Sequence, residues 1–127
     1  MAHKSRLGSF IIDCRTDDLD AAAHFWSEAL GYAIRRNPDP ADQHYIGLDS
    51  SRDGLTAEVQ KVDHESRIHI DIETDDIEAE ARRLEAIGAK RVEAIRTWLV
   101  MEAPTGQRFC LVGPQNADFD EKANGWP

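Results

Sequence analysis

The chain has 127 residues, the length of one ordinary domain, with 41% hydrophobic and 31% charged residues; this balance indicates a globular protein and argues against a disordered or membrane-embedded one. The 24 acidic residues outnumber the 15 basic ones, giving a formal net charge of -9, which argues against nucleic acid or a membrane surface as the main partner. Two cysteines are too few for a disulfide framework, and no apolar signal-peptide region follows the N-terminus. We therefore expect a cytoplasmic protein.

The first predicted element is a strand over residues 9–14. Phe10, Ile12 and Cys14 fall on one face of it, so Cys14 is expected in the core. After a helix, three short strands follow, separated by stretches rich in Pro, Asp, Ser and Gly. These strands are predicted over residues 32–36, 44–48 and 55–62.

Each half of the chain has one predicted helix. The acidic pairs Asp17 with Asp20 and Asp75 with Glu78 suit helix N-termini, where side-chain oxygens meet free N–H groups. The glycines suited to end the helices in the left-handed conformation are Gly31 and Gly88. The apolar residues expected to face the core are Leu19, Ala22, Ala23, Phe25, Trp26 and Leu30 in the first helix and Ile77, Ala81, Leu84 and Ile87 in the second.

The second half begins with a strand over residues 67–72, in which isoleucines alternate with polar residues. This period of two is typical of a half-buried strand, and we expect Ile68, Ile70 and Ile72 to pack beneath the helix. His69 then lies on the opposite face. The later strands are predicted over residues 90–94, 98–102 and 108–112.

The chain also contains an internal repeat. Residues 12–23 align with residues 70–81, 58 positions later, with seven identities, and duplication explains this better than chance. The polar tail holds Phe119 and Trp126, which we expect to fix it to the body of one domain over residues 1–127. The segments are module one over about residues 7–62, module two over about 67–113, and the tail over 114–127.

Three stretches carry a family resemblance: residues 69–77, 84–89 and 101–112. Together with the repeated order of one strand, one helix and three strands, they resemble the vicinal oxygen chelate superfamily of glyoxalases, extradiol dioxygenases and bleomycin-resistance proteins. The final hairpin departs from the family pattern, because Ala103 stands where Asp is common. The resemblance implies an α+β fold: two tandem βαβββ modules form a curved mixed sheet around a cleft, with the helices on the outer face.

The resemblance also implies positions for a metal. Family enzymes hold one divalent ion with residues from the first and last strand of each module. Here His69 stands at one such position, Gln60 at another and Cys110 where Glu is usual, while Ile11 or Ser9 at the fourth is a poor ligand. We therefore expect no metal cofactor. The alternative is a divalent metal held by Gln60, His69 and Cys110.

Strand parity places a polar group of residues on the cleft side. His69 is the candidate catalytic residue, as a general acid or base, and the alternative is a hydrogen-bonded residue without a catalytic role. Asp71 beside it would raise the imidazole pKa. Arg108 is expected to neutralise Glu58 or Asp71, or to bind an anionic substrate group. The predicted ligand-binding residues are Tyr45, Gln60, His69, Asp71, Trp98, Arg108 and Cys110.

Three classes of function remain open from the sequence. The favoured one is a glyoxalase- or bleomycin-resistance-like protein that binds a small polar or aromatic molecule without the usual metal cage. The alternative is a vicinal oxygen chelate enzyme of the lyase, isomerase or dioxygenase type, using His69 with an altered metal site or as acid/base. A third is an accessory domain without chemistry. A homodimer is also expected, because the family commonly pairs and sheet edges need cover.

Overall fold

The computed structural model describes residues 2–36, 39 and 43–127. These residues form nine β-strands and three α-helices, in the order β-α-β-β-β, again β-α-β-β-β, and then α-β. Parallel and antiparallel strand pairs both occur, so the predicted α+β class with mixed pairing is confirmed. Duplication of one module and curvature around a cleft stay predictions. Within the described ranges, none of the helices has the length and hydropathy of a membrane-spanning segment.

The chain divides into two compact units, which we call the terminal unit and the middle unit. The terminal unit comprises residues 2–9 and His69–Pro127, and the middle unit comprises Phe10–Ile68. Strand β1 (His3–Cys14) passes from the terminal into the middle unit, and β5 (Arg67–Thr74) passes back. Each unit has its own apolar cluster, which includes residues of its own helix.

In the middle unit, one helix packs on short antiparallel strands. The elements are α1 (Leu19–Leu30), β2 (Ile34–Arg35), β3 (Tyr45–Leu48) and β4 (Thr56–Lys61), and β3 pairs with both β2 and β4. The buried core consists of Ile12, Cys14, Ala23, Ile46, Leu48, Ala57 and Val59. Burial, aided by the charge of Asp13, raises the pKa of the Cys14 thiol, so Cys14 is a core residue as predicted and not a reactive thiolate.

Most of the predicted apolar stripe of α1 contacts this core, but two members do not. Trp26 packs against the cluster, whereas Phe25 is 62% exposed and meets the Trp26 ring edge-on, with the centroids 5.1 Å apart. The core assignment of Phe25 is therefore wrong, because its helical position lies beside the stripe. Leu30, the last residue of α1, is also exposed.

Both long helices begin at an aspartate one residue later than the acidic pairs suggested. The Asp18 carboxylate accepts a hydrogen bond from the backbone N–H of Ala21, and that of Asp76 accepts one from Ala79. These bonds satisfy donors that the first helical turn leaves free. Gly31 ends α1 with a φ of 74°, in the left-handed region as predicted.

In the terminal unit, four strands pair in the order β5-β8-β7-β6. The elements after β5 are α2 (Ile77–Ala86), β6 (Lys90–Ile95), β7 (Trp98–Glu102) and β8 (Arg108–Val112). β5 runs parallel to β8, and the other pairs are antiparallel. The bounds of β7 and β8 match the prediction. The buried core consists of Ala81, Leu84, Leu99, Met101, Phe109 and Leu111.

The alternating isoleucines of β5 do not all pack as predicted. Ile72 contacts the core cluster beneath α2, but Ile68 is 61% exposed and Ile70 is 44% exposed. The prediction is wrong for these two, because the cluster reaches along β5 only to Ile72. Ile87, the last predicted member of the α2 stripe, is exposed as well, since it follows the end of the helix.

The C-terminal tail is held to the terminal unit by its two aromatic residues, as predicted. It forms α3 (Phe119–Lys122) and β9 (Asn124–Trp126), and Phe119 is buried. β9 pairs antiparallel with the start of β1, which explains why β1 begins at His3, earlier than residue 9. The Trp126 indole N–H donates to Ser5 Oγ over 2.8 Å, and the Arg83 guanidinium lies 3.8 Å from its ring centroid.

A buried carboxylate connects α2 to the start of β1. Arg83 donates to both oxygens of Glu80 over 2.8 Å, and His3 Nε2 lies 2.8 Å from Glu80 Oε1. Burial alone would raise the pKa of Glu80, but hydrogen bonds from Arg83, His3 and Ser5 outweigh it and lower the pKa to about 2. Glu80 is therefore a charged structural anchor.

Candidate functional site

One side of the terminal unit's strands carries most of the predicted site. Ile72, Leu99 and Leu111 point towards α2, so the residues that alternate with them point to the opposite side. Register supports this, because Asp71 and Val100 are both Cα partners of Cys110. We call this side the His69 face; it comprises His69, Asp71, Trp98, Val100, Glu102, Arg108 and Cys110.

The centre of the His69 face is a group of three potential ligands. One nitrogen of His69, one carboxylate oxygen of Asp71 and the sulfur of Cys110 all lie within 4.8 Å of one another. Asp71 is buried, whereas His69 and Cys110 are half-buried. The structure thus brings together three of the predicted ligand-binding residues.

The two oxygens of Asp71 differ in their surroundings. Oδ2 accepts a hydrogen bond from the Ser9 hydroxyl over 3.1 Å. Oδ1 lies 3.4 Å from His69 Nε2, but the alignment makes no hydrogen bond, and this buried oxygen has no hydrogen-bond donor among the described residues. A buried carboxylate oxygen without a donor is costly, so Oδ1 is the atom of this site that a bound donor or cation would satisfy.

The donor set fits a divalent ion. Imidazole nitrogen, carboxylate oxygen and thiolate sulfur are all zinc ligands, and catalytic zinc sites commonly use three protein ligands. His69, Asp71 and Cys110 would hold such an ion, which would act as a Lewis acid on substrate oxygens. Asp71 joins His69 and Cys110 in this group, whereas the sequence named Gln60 as the third ligand. The expectation that no metal binds stays a prediction.

Arg108 does not have the partner that the sequence suggested. Its Nε donates to Glu102 Oε1 over 3.0 Å, across the β7–β8 pair. The expected pairing with Asp71 is therefore wrong, because Glu102 is directly opposite in register. The pairing with Glu58, which belongs to the middle unit, stays a prediction. Trp98 lies half-buried on the same face, and its predicted stacking on a ligand stays a prediction.

The other two predicted ligand-binding residues belong to the middle unit. Gln60 and Tyr45 are Cα partners on β4 and β3, and the Gln60 amide donates to the Tyr45 hydroxyl over 3.0 Å. Their role in one site with His69 stays a prediction. Sequence reasoning placed Ser9 at the fourth family position and set it aside as a poor metal ligand, so it missed the Ser9 hydroxyl as the donor to Asp71.

The family model of the glyoxalase-like domain matches residues 9–112. The chain belongs to this family. A comparison with curated proteins finds no match. The predicted membership of the vicinal oxygen chelate superfamily is therefore confirmed. All residues of the His69 face lie within the range that the family model matches.

Solved structures agree with this fold. Methylmalonyl-CoA epimerase from Mycobacterium tuberculosis is 19% identical over 86% of this chain and 87% of that chain, with a TM-score of 0.63. A Streptomyces coelicolor methylmalonyl-CoA epimerase variant in complex with 2-nitronate-propionyl-CoA is 19% identical over 86% and 96%, at 0.56. A glyoxalase/bleomycin resistance protein/dioxygenase superfamily member from Vibrio splendidus is 19% identical over 84% and 98%, at 0.51. At these identities the likeness shows the fold.

Proposed function

We propose that this glyoxalase-like domain binds a small polar or aromatic molecule against the His69 face. One observation carries the proposal: the buried Oδ1 of Asp71 has no hydrogen-bond donor among the described residues, beside His69 and Cys110. A buried oxygen without a hydrogen-bond donor is suited to binding a ligand, because the ligand can supply that donor. Trp98 on the same face offers an aromatic surface for a flat ligand.

Similar solved structures support the proposal that a small molecule binds at the His69 face. Similar structures are of methylmalonyl-CoA epimerases, and one of these holds methylmalonyl-CoA itself. We carry over from them a small molecule as the partner, and neither the reaction nor the substrate. The binding function does not need a metal, because His69, Asp71 and the Cys110 thiol already offer hydrogen-bonding groups.

The test is a fragment screen by two-dimensional NMR on the full chain, followed by titration of the hits. Hits should shift the resonances of His69, Asp71 and Cys110, and His69→Ala should weaken their binding by about three- to tenfold, as expected for one lost contact. His24→Ala, at an exposed position of α1, is the matched control and should leave affinity unchanged. A screen whose hits all avoid the His69 face would contradict the proposal.

A second candidate function is favoured by the His69, Asp71 and Cys110 group. It is an enzyme of the vicinal oxygen chelate type, with His69 as a ligand in an altered metal site or as general acid/base. Elemental analysis of protein purified without added ions distinguishes the metal form: about one equivalent of zinc, lost in Cys110→Ser, supports it. For the acid/base form, His69→Ala should reduce turnover by orders of magnitude rather than reduce affinity modestly.

We further propose the wider organisation that the sequence predicted. The two modules would form one domain, the chain would act as a homodimer, and its location would be the cytoplasm. The family match supports a single domain, since it extends over residues of both compact units. Light scattering during size-exclusion chromatography tests the dimer, and a monomeric mass at micromolar concentration would contradict it.

A further inference from the structure

We infer that the ligand of the His69 face presents a protonated amine to Asp71. The inference rests on the proposed function and names the chemistry of the group that binds. It starts from the two oxygens of one carboxylate: Ser9 satisfies Oδ2, and Oδ1 is left buried without a hydrogen-bond donor among the described residues. An organic ligand that satisfies Oδ1 must therefore bring a hydrogen-bond donor to it.

Two guanidinium groups of the terminal unit, those of Arg108 and Arg6, pair with other carboxylates. Arg108 Nε lies 3.0 Å from Glu102 Oε1, and Arg6 lies 3.6 Å from Glu73 and 3.2 Å from Asp118. The contacts of Asp71 are the neutral Ser9 hydroxyl and the His69 imidazole, whose Nε2 lies 3.4 Å from Oδ1 without forming a hydrogen bond and is charged only if protonated. Its negative charge thus has no guanidinium or ammonium partner among the described residues.

Charge and hydrogen bonding together select the ammonium group. A ligand hydroxyl would supply one hydrogen bond but no charge opposite to that of the buried carboxylate. A ligand carboxylate would place a second negative charge beside the first, in surroundings that screen it poorly. An ammonium group supplies both the donor and the opposite charge, and charge-assisted hydrogen bonds are the stronger kind.

The net charge of the whole chain also favours a cationic ligand. A formal net charge of -9 attracts cationic ligands and repels anionic ones over long range. Methylmalonyl-CoA, which one similar structure holds, is anionic through its carboxylate and phosphates. We therefore expect this chain to discriminate against that compound at the His69 face.

Three matched probes test the inference: benzylamine, benzyl alcohol and benzoate share one ring and differ in the polar group. Each is titrated into the full chain at neutral pH while NMR follows the resonances of His69, Asp71 and Cys110. Benzylamine, which is protonated under these conditions, should bind at least tenfold more tightly than the alcohol. Benzoate should bind more weakly than the alcohol.

Asp71→Asn keeps the shape of the side chain but removes its charge. It should reduce the preference for benzylamine over benzyl alcohol to less than twofold. Asp120→Asn is the matched control, since it removes the same charge from a side chain of the terminal unit that is 90% exposed, and it should keep the tenfold preference. If Asp71→Asn does not fold, the ranking of the probes on the unaltered chain still decides the question.

The outcomes separate this inference from the proposed function. Benzoate binding at the His69 face as tightly as benzylamine overturns the inference and leaves small-molecule binding there intact. A preference for benzylamine that survives in Asp71→Asn overturns it also, because the charge would then act from elsewhere. If none of the probes perturbs His69, Asp71 or Cys110, the inference fails, and the same result in the wider screen removes the proposed function.

Discussion

The Ser9 hydroxyl donates a hydrogen bond to Oδ2 of Asp71 over 3.1 Å, so the first strand supports the carboxylate at the centre of the candidate site. Both residues are buried. Ser9→Ala removes the donor and leaves both oxygens of the carboxylate without one. We expect the free energy of unfolding to fall by roughly 1–3 kcal/mol, the usual cost of an unsatisfied buried polar group, measured by urea denaturation.

Ser51→Ala is the matched control for this change, because Ser51 lies exposed in the 3-10 turn Ser51–Asp53. Its effect should be within about 0.5 kcal/mol of zero. Equal effects of the two substitutions would show that the bond between Ser9 and Asp71 contributes nothing to stability.

The buried Glu80 makes a pH-dependent contribution to stability. Its pKa falls from 4.5 to about 2 on folding, so the folded state favours the charged form. The contribution is complete above pH 4.5 and is lost as the pH falls towards 2; a shift of this size corresponds to roughly 3 kcal/mol. Glu80→Gln should lower the unfolding free energy at pH 7, and its difference from the unaltered chain should shrink between pH 4.5 and 2.

Urea denaturation at a series of pH values measures this effect. Glu28→Gln, at an exposed position of α1, should follow the unaltered chain at every pH. A difference between Glu80→Gln and the unaltered chain that stays constant from neutral to acid pH would refute the role of the Glu80 charge.

Gly88 is required for two reasons, which a pair of substitutions separates. Its φ is 111°, and a Cβ there would lie 2.9 Å from the Pro104 ring, whereas Gly54 has a φ of 75° and open space. Gly54→Ala should cost about 1 kcal/mol from the backbone alone. Gly88→Ala should cost about 1–3 kcal/mol more, since overpacking adds to the backbone cost. Thermal unfolding measures both, and similar melting temperatures would contradict the clash.

The next prediction tests which aspartate caps the N-terminus of each long helix. Asp76→Ala should lower the unfolding free energy by about 1 kcal/mol, because the N–H of Ala79 loses its acceptor. Asp18→Ala should do the same through Ala21. Asp17→Ala, one residue earlier and exposed, should have little effect. A larger loss at Asp17 than at Asp18, in chemical denaturation, would contradict the assigned cap.

Local patterns in the sequence were sufficient for the order of the elements from β1 to β8, but they did not predict α3 and β9 in the tail. Alternation and turn residues gave β7 and β8 with their observed bounds, because both strands have one buried face. Burial that depends on distant partners was not predictable in this way. The exposed positions of Ile68 and Phe25 and the early start of β1 at His3 depend on where a core ends or on which strand pairs at an edge.

The candidate site was predictable to a similar depth. Strand parity placed His69, Asp71 and Cys110 on one face, and the structure brings them within 4.8 Å of one another. The Ser9 donor and the Arg108–Glu102 pair depend on the register between neighbouring strands, which parity alone does not determine. The hydrogen bonding of the two Asp71 oxygens therefore could not be predicted from the sequence.

The position of Trp126 makes it a natural optical probe. Its indole donates to Ser5 and lies under the Arg83 guanidinium, so its fluorescence should change when the last strand leaves β1 and the ring enters water. With Trp26 and Trp98 replaced by phenylalanine, the emission of the chain would come from this one ring. Detachment of the C-terminal end could then be timed independently of global unfolding.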